Sequence, residues 1–249
     1  MDRDFRQGHL EIDFPTEPFH SAFRLLVRSA VLFFANLRFL AAVTLVVYLP
    51  AKLALQFVLY VLDVPTGGIV TYLALDLSDL VLSALVIPAA VYGLVAKFRG
   101  GQTAPVREPL RWGRRQWGKT LWNMFKVEVT VALWGALLVI PGLVAMVRLI
   151  FAEAIVAIEA DQETEVLARS RVLSKGHGWR IFLVLLPLMA ASLVGTFLIL
   201  GAFEEAAYSR VVMAVADSVL SVGGQFATVA VLLMYLGVVR PAAPAEALS

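Results

Sequence analysis

The sequence has no cysteine among its 249 residues, which excludes disulfides, thiolate metal sites, thiol catalysis and S-acylation. Charge is also scarce, since Asp, Glu, Lys and Arg make up 16% of the chain against roughly 25% in soluble domains. Hydrophobic residues reach 60%, where roughly 45 to 50% is usual. This composition argues against a soluble globule and indicates a membrane protein.

Motifs of the common catalytic sites are also lacking. No HExxH, GxSxG or P-loop pattern is present, and the histidines, His9, His20 and His177, lie outside the apolar runs. We therefore expect no cofactor, no metal and no enzyme activity in this chain. The 21 Lys and Arg nearly balance the 19 Asp and Glu, and tryptophans beside the basic segments are typical of membrane interfaces, so no nucleic-acid partner is expected.

Apolar runs of about twenty residues, the length that crosses a bilayer as a helix, recur along the chain. They predict an all-α membrane bundle of about six transmembrane helices. The third and fourth meet at Ile140-Pro141-Gly142, which favours a tight hairpin over one bent helix. The predicted spans are 39–62, 76–96, 120–141, 142–160, 180–201 and 213–239, within a membrane domain at 19–240 that follows a polar segment at 1–18 and precedes a tail at 241–249.

Basic residues alternate between the connections of this bundle. The connection 63–75 contains no Lys or Arg, whereas 97–119 and 161–180 are rich in both. Cytoplasmic loops carry the excess of Lys and Arg. The pattern predicts a multi-pass protein of the cytoplasmic (inner) membrane with both termini in the cytoplasm.

Three amphipathic helices, at 19–35, 106–117 and 162–175, are predicted to lie on the cytoplasmic surface before a span. The last would start at Asp161 as its N-cap and carry a Glu165 to Arg169 pair. Basic flanks alone explain this order, so whether the three units are a true repeat stays open. Anionic lipid headgroups are the expected partners, with a membrane-protein partner or a homo-oligomer left open. The candidate headgroup contacts are Arg111, Arg114, Arg115, Lys119, Arg169, Arg171, Lys175 and Arg180.

Several ionisable residues fall within or at the ends of the apolar runs, where an unpaired charge costs a few kcal/mol. Since such charges need partners, we expect Arg148 to face the bundle interior and to pair with Asp79, Asp76 or Asp217. The candidate buried polar network consists of Lys52, Asp76, Asp79, Arg148, Glu153 and Asp217.

A longer pattern spans residues 138–183. It comprises Ile140-Pro141-Gly142, then Arg148, Phe151 and Glu159, then the stretches 165–170, 174–176 and 179–182. In this region the chain resembles the membrane domain of the glycerophosphoryl diester phosphodiesterase type and its stand-alone relatives of unknown function. The resemblance implies a six-span membrane module. It implies no catalytic residue, because the phosphodiesterase site of the fused relatives belongs to a separate soluble domain.

These observations favour a non-catalytic accessory, scaffold or lipid-contacting module. The alternative is a transporter or permease subunit with a polar path through the outer half of the bundle, and a membrane-embedded enzyme ranks third. A transporter should have a hydrated cavity that reaches Glu153, whereas a scaffold should bury Glu153 with a partner.

The orientation can be tested with single cysteines, because the chain has none of its own. We expect Gly67→Cys to react with an impermeant thiol reagent in intact cells and Gly101→Cys to react only after the membrane is opened. Equal labelling of the two variants in intact cells would contradict the six-span topology.

Overall fold

The computed structural model describes residues 21–65, 68–100, 105–159, 165–203 and 209–239. Within these ranges the chain consists of helices and short turns without a strand, which confirms the predicted all-α fold there. The predicted segments 1–18 and 241–249 lie outside them. In chain order the helices are α1 (Ala22–Ala35), α2 (Leu37–Val61), α3 (Ile69–Gly100), α4 (Arg107–Leu137), α5 (Val139–Leu149), α6 (Ala152–Ile158), α7 (Val166–Ser174), α8 (Gly178–Phe203) and α9 (Ser209–Val239).

Five stretches of the described chain are long and apolar enough to cross a membrane, which is the mark of a membrane protein. They match five of the predicted spans, and the predicted third span at 120–141 is not among them. That part of α4 contains Asn123, Lys126 and Glu128, which lower its mean hydropathy. The five stretches are Leu37–Val61, Ile69–Phe98, Val139–Ile158, Gly178–Gly195 and Arg210–Val239.

Helix α4 also corrects the predicted division into a surface helix at 106–117 and a separate span. It is one continuous helix from Arg107 to Leu137. The sequence between the two predicted elements offers only Gly118 as a breaker, and a single glycine costs a helix about 1 kcal/mol, too little to end it.

Helices α2, α3 and α9 form the centre of the bundle. Contacts at both ends show that α2 and α3 are antiparallel, since Lys97 donates to Asn36 Oδ1 at 2.5 Å and Lys52 lies 2.7 Å from Asp79. Helix α9 runs antiparallel to α2, because Lys52 also contacts Asp217 while Arg210 donates to a carbonyl just after α2. Gly93 allows close packing here, since a Cβ at this position would overlap the Phe39 ring.

Helices α4 and α5 form a hairpin, which confirms that two helices meet here instead of one bent helix. The reversal is at Leu138, whose backbone is extended (φ −160, ψ 142), and not at Pro141-Gly142 as predicted. Pro141 fits in the first turn of α5 because that turn needs no amide donor. Gly142 permits the close return, since its Cβ would lie 2.7 Å from the Cα of Gly135.

The predicted surface helices are only partly reproduced. Helix α1 covers most of 19–35. Helix α7 is shorter than the predicted 162–175, and Asp161, the predicted N-cap, lies outside the described residues. Gly176 follows α7 with φ +85, a left-handed conformation that favours glycine and ends the helix.

The contact between α3 and α4 offers a test of the packing. A Cβ on Gly113 would overlap the Leu85 carbonyl oxygen, whereas a Cβ on Gly118 would meet nothing within 4 Å. We expect Gly113→Ala to lower the melting temperature in detergent because α4 must move away from α3. Gly118→Ala, on the same helix, should leave the melting temperature unchanged or raise it, because alanine is favoured over glycine in a helix by up to about 1 kcal/mol. Equal stability of the two variants would contradict this packing.

Candidate functional site

Helix α2 carries a line of buried polar side chains. Thr44, Tyr48, Lys52 and Gln56 follow one another at intervals of four residues, and each is at most 4% exposed. Residues spaced by four share one face of a helix. This face is directed at α3 and α9, where the acidic partners of Lys52 are found.

Lys52 bridges two acids from different helices. Its Nζ lies 2.7 Å from Asp79 Oδ1 on α3 and 2.6 Å from Asp217 Oδ2 on α9. The lysine side chain is fully buried, whereas those of Asp79 and Asp217 are 41% and 27% exposed. Because a buried ammonium must be paired, this cluster fixes α2, α3 and α9 to one another. The structure thus brings together three members of the predicted polar network.

Arg148 does not join this cluster, so the predicted pairing of Arg148 with Asp79, Asp76 or Asp217 is wrong. Its side chain is exposed and lies between α5, α7 and α8. Asp76 is exposed on α3 and pairs with no cation in the described part of the chain. Counting residues gives the depth of a side chain along its helix, but it does not show which neighbouring helix that side chain faces. The cation that pairs with Asp79 and Asp217 is Lys52 and not Arg148.

The predicted fourth span is interrupted at Ile150 and Phe151, between α5 and α6. Ser170 of α7 closes the interruption, because its Oγ donates to the Arg148 carbonyl at 2.9 Å and accepts from the Phe151 amide at 3.2 Å. Ser174, one turn further, also donates to the Arg148 carbonyl, at 3.3 Å. Backbone groups in an apolar environment need such partners. Helix α7 is therefore a structural part of the broken span.

A second contact ties α7 to the bundle. Arg169 Nε donates to both carboxylate oxygens of Glu159, at 3.1 and 2.8 Å, and the Tyr235 hydroxyl of α9 donates to the same carboxylate. The predicted Glu165 to Arg169 pair is therefore wrong. The hydrogen bonds that Arg169 donates to Glu159 raise the pKa of the guanidinium above its ordinary value. This pair holds α7 against the end of α6.

A cavity of about 620 Å³ opens between α5, α7 and the start of α8. Arg148, Arg171 and Lys175 lie at one part of its wall, together with Ser174 and Gly176. None of these three cations forms an ion pair with a carboxylate in the described ranges. The remaining wall is mainly apolar and is formed by Ile140, Leu143, Val144, Val147, Trp179 and Phe182.

Two of the eight predicted headgroup residues, Arg171 and Lys175, line this cavity. Sequence reasoning missed Arg148 as their neighbour, because the contact that places α7 beside it joins residues 22 positions apart. The four-residue spacing of Ser170 and Ser174 was the available signal. Of the other predicted headgroup residues, Arg169 pairs with Glu159, while Arg111, Arg114, Arg115, Lys119 and Arg180 are exposed outside the cavity.

A second cavity, of about 240 Å³, lies between α4, α5 and α6. Glu153, the last member of the predicted network, lines it together with Glu128. Thr120 and Asn123 add polar atoms to the same wall. A cavity therefore reaches Glu153 in this part of the structure. No group of three or more His, Asp or Glu in the described residues is arranged to hold a metal ion.

The Lys52 cluster offers a direct test of the central packing. Lys52→Met should lower the melting temperature, because two carboxylates lose their cation, at a cost of up to about 3 kcal/mol. Adding Asp79→Asn and Asp217→Asn to the same chain should recover part of the loss. The measurement is the fraction that remains monodisperse after heating in detergent, and a fully stable Lys52→Met protein would contradict the ion-pair assignment.

Three residues that carry the resemblance described above meet at the interruption: Arg148, Phe151 and Ser170. Glu159, at the end of α6, contacts Arg169 of α7 instead. Ser174 and Trp179 line the larger cavity. Comparison with family models, curated proteins and solved structures finds no match for this chain.

Proposed function

We propose that the protein is a non-catalytic, lipid-contacting module of the inner membrane that holds an anionic phospholipid between α5, α7 and α8. The observation that carries this proposal is the grouping of Arg148, Arg171 and Lys175 at one part of a largely apolar cavity. A phosphate group would lie at these cations, and an acyl chain would follow the apolar wall.

The cationic part of the cavity suits a phosphate. Arginine and lysine form short, charge-assisted hydrogen bonds with phosphate oxygens, and no carboxylate of the described residues pairs with these three cations. A bound phosphodiester would balance the local positive charge.

The apolar part of the cavity suits a hydrocarbon chain. Ile140 lies eight residues before Arg148 on α5, about 12 Å away at 1.5 Å per residue. Phe182 and Trp179, whose rings stack at a centroid distance of 5.5 Å, form the opposite side on α8. Acyl methylenes would pack against this wall by van der Waals contact, as helices pack against one another in lipid. A molecule with both an anionic and an apolar part fits this wall better than a free ion.

The orientation inferred from the sequence agrees with this assignment. Arg171 and Lys175 belong to the basic segment 161–180, which the excess of Lys and Arg assigns to the cytoplasmic side. Anionic lipids give that leaflet a negative surface potential, which attracts basic segments. We extend the proposal to a six-span topology with both termini in the cytoplasm, as the resemblance to the phosphodiesterase membrane domain implies, with α4 as the remaining span.

A transporter or permease subunit is the second candidate, and one observation favours it. Glu153 lines a cavity inside the predicted fourth span, where a scaffold would have buried it against a partner. Intramembrane carboxylates at a cavity are typical of solute or ion pathways.

The lipid can be tested by native mass spectrometry of protein reconstituted with equal phosphatidylglycerol and phosphatidylcholine. We expect the wild-type protein to retain phosphatidylglycerol preferentially. The triple variant Arg148→Gln, Arg171→Gln, Lys175→Gln should lose about 3 kcal/mol of electrostatic attraction, roughly a hundredfold in affinity.

The matched control removes the same charge from exposed positions of α4, with Arg107→Gln, Arg111→Gln and Arg114→Gln. This control should keep its phosphatidylglycerol. Equal loss in the two triple variants would mean that the lipid is attracted by the basic surface in general, and unchanged retention in the first variant would refute the cavity as its site.

A further inference from the structure

The larger cavity, lined by Arg148, Arg171 and Lys175, is called the lipid cavity below. The smaller cavity carries the opposite charge. Glu128 of α4 and Glu153 of α6 both line it, and no Lys, Arg or His is among its lining residues. Neither carboxylate forms an ion pair within the described part of the chain. The nearby Lys126 is directed at the Trp122 ring, 5.3 Å from its centroid.

An independent observation comes from Thr120 on the same wall. Its hydroxyl is buried, with the residue 1% exposed, and it has no hydrogen-bond partner among the residues that the structure describes. A buried hydroxyl without a partner is costly. Asn123 uses its side-chain N–H on the Lys119 carbonyl at 2.8 Å, which leaves its Oδ1 to accept. The polar wall therefore offers acceptors and two negative charges.

The rest of the cavity is apolar, and this decides the class of ligand. Among inorganic cations, Ca²⁺ prefers six to eight oxygen ligands, and Mg²⁺ usually keeps several of its water ligands. This wall has four oxygen-bearing side chains, while the volume of about 240 Å³ exceeds what one ion fills. Two methionines, Met124 and Met146, line the cavity. Methionine side chains are flexible and polarisable, so they adapt to organic ligands of irregular shape. The apolar lining comprises Met124, Val127, Val131, Met146, Leu149, Ile150, Ala152 and Val156.

We propose that this cavity binds a small organic cation, with its ammonium group at Glu128 and Glu153 and its apolar part against Met124 and Met146. Glu128 is exposed and Glu153 is partly buried, so Glu128 lies at the entrance and Glu153 inside. The site is separate from the lipid cavity, because Met146, Leu149 and Ile150 line the one while Val147 and Arg148 line the other. Helix α5 is the wall between them.

The test is equilibrium binding of radiolabelled benzyltrimethylammonium to the full-length protein in mild detergent. We expect saturable binding of one probe per chain. Glu153→Gln should raise the dissociation constant at least tenfold, and Glu128→Gln should raise it by less because that carboxylate is exposed to solvent. Glu108→Gln, in the first turn of α4 and outside the cavity, removes the same charge and should leave binding unchanged.

A second measurement covers the case in which Glu153→Gln fails to fold. In the wild-type protein, the probe should slow modification of Glu153 by dicyclohexylcarbodiimide, and benzyltrimethylsilane, a neutral molecule of similar shape, should not. Binding that is equal in Glu128→Gln and the wild type, together with unprotected Glu153, would overturn the proposal. So would stoichiometric displacement of the probe by Mg²⁺, which would indicate an inorganic ion site. Neither result depends on the lipid cavity.

Discussion

The arrangement of α5, α6 and α7 depends on one constraint. Where the helix is interrupted at Ile150 and Phe151, the free backbone amide and carbonyl groups need hydrogen-bond partners in apolar surroundings. The helix that starts at Val139 stops at Leu149 and resumes at Ala152, and the Ser170 hydroxyl supplies the missing donor and acceptor. A water molecule cannot be relied on for this in hydrocarbon. The polar helix α7 must therefore lie against the interruption between α5 and α6. Arg169 of α7 also donates to Glu159, which follows the end of α6.

This constraint places two cavities on opposite sides of α5. On one side α7 brings Arg171 and Lys175 beside Arg148, which makes a cationic part of an otherwise apolar cavity. On the other side the restart at α6 directs Glu153 toward Glu128. The Lys52 cluster lies elsewhere, between α2, α3 and α9. The cluster stabilises the bundle against which the broken span packs. The two cavities present side chains of opposite charge.

The sequence predicts the helical class and most spans, because hydropathy depends on local composition. It also identifies Lys52, Asp79 and Asp217 as charges that need partners. It assigns the wrong cation, Arg148, because the side of a helix that faces a given neighbour depends on the packing of distant segments. The continuity of α4 is not predicted, because its basic residues indicate a separate surface helix at 106–117. The helix does not end at Gly118, since one glycine costs too little helix propensity to end it. The role of Ser170 depends on a break that no local pattern marks.

We infer that the Ser170 hydroxyl positions α7 beside Arg148 and so completes the proposed lipid cavity. The direct measurement is the amount of phosphatidylglycerol that Ser170→Ala retains in native mass spectra, compared with Ser218→Ala. Ser218 is an equally buried serine on α9, but its hydroxyl bonds only to the Ala214 carbonyl of its own helix. We expect Ser170→Ala to lose the lipid, although all three cations remain, and Ser218→Ala to keep it. Full retention by Ser170→Ala would show that the Ser170 hydroxyl does not position α7 for the lipid.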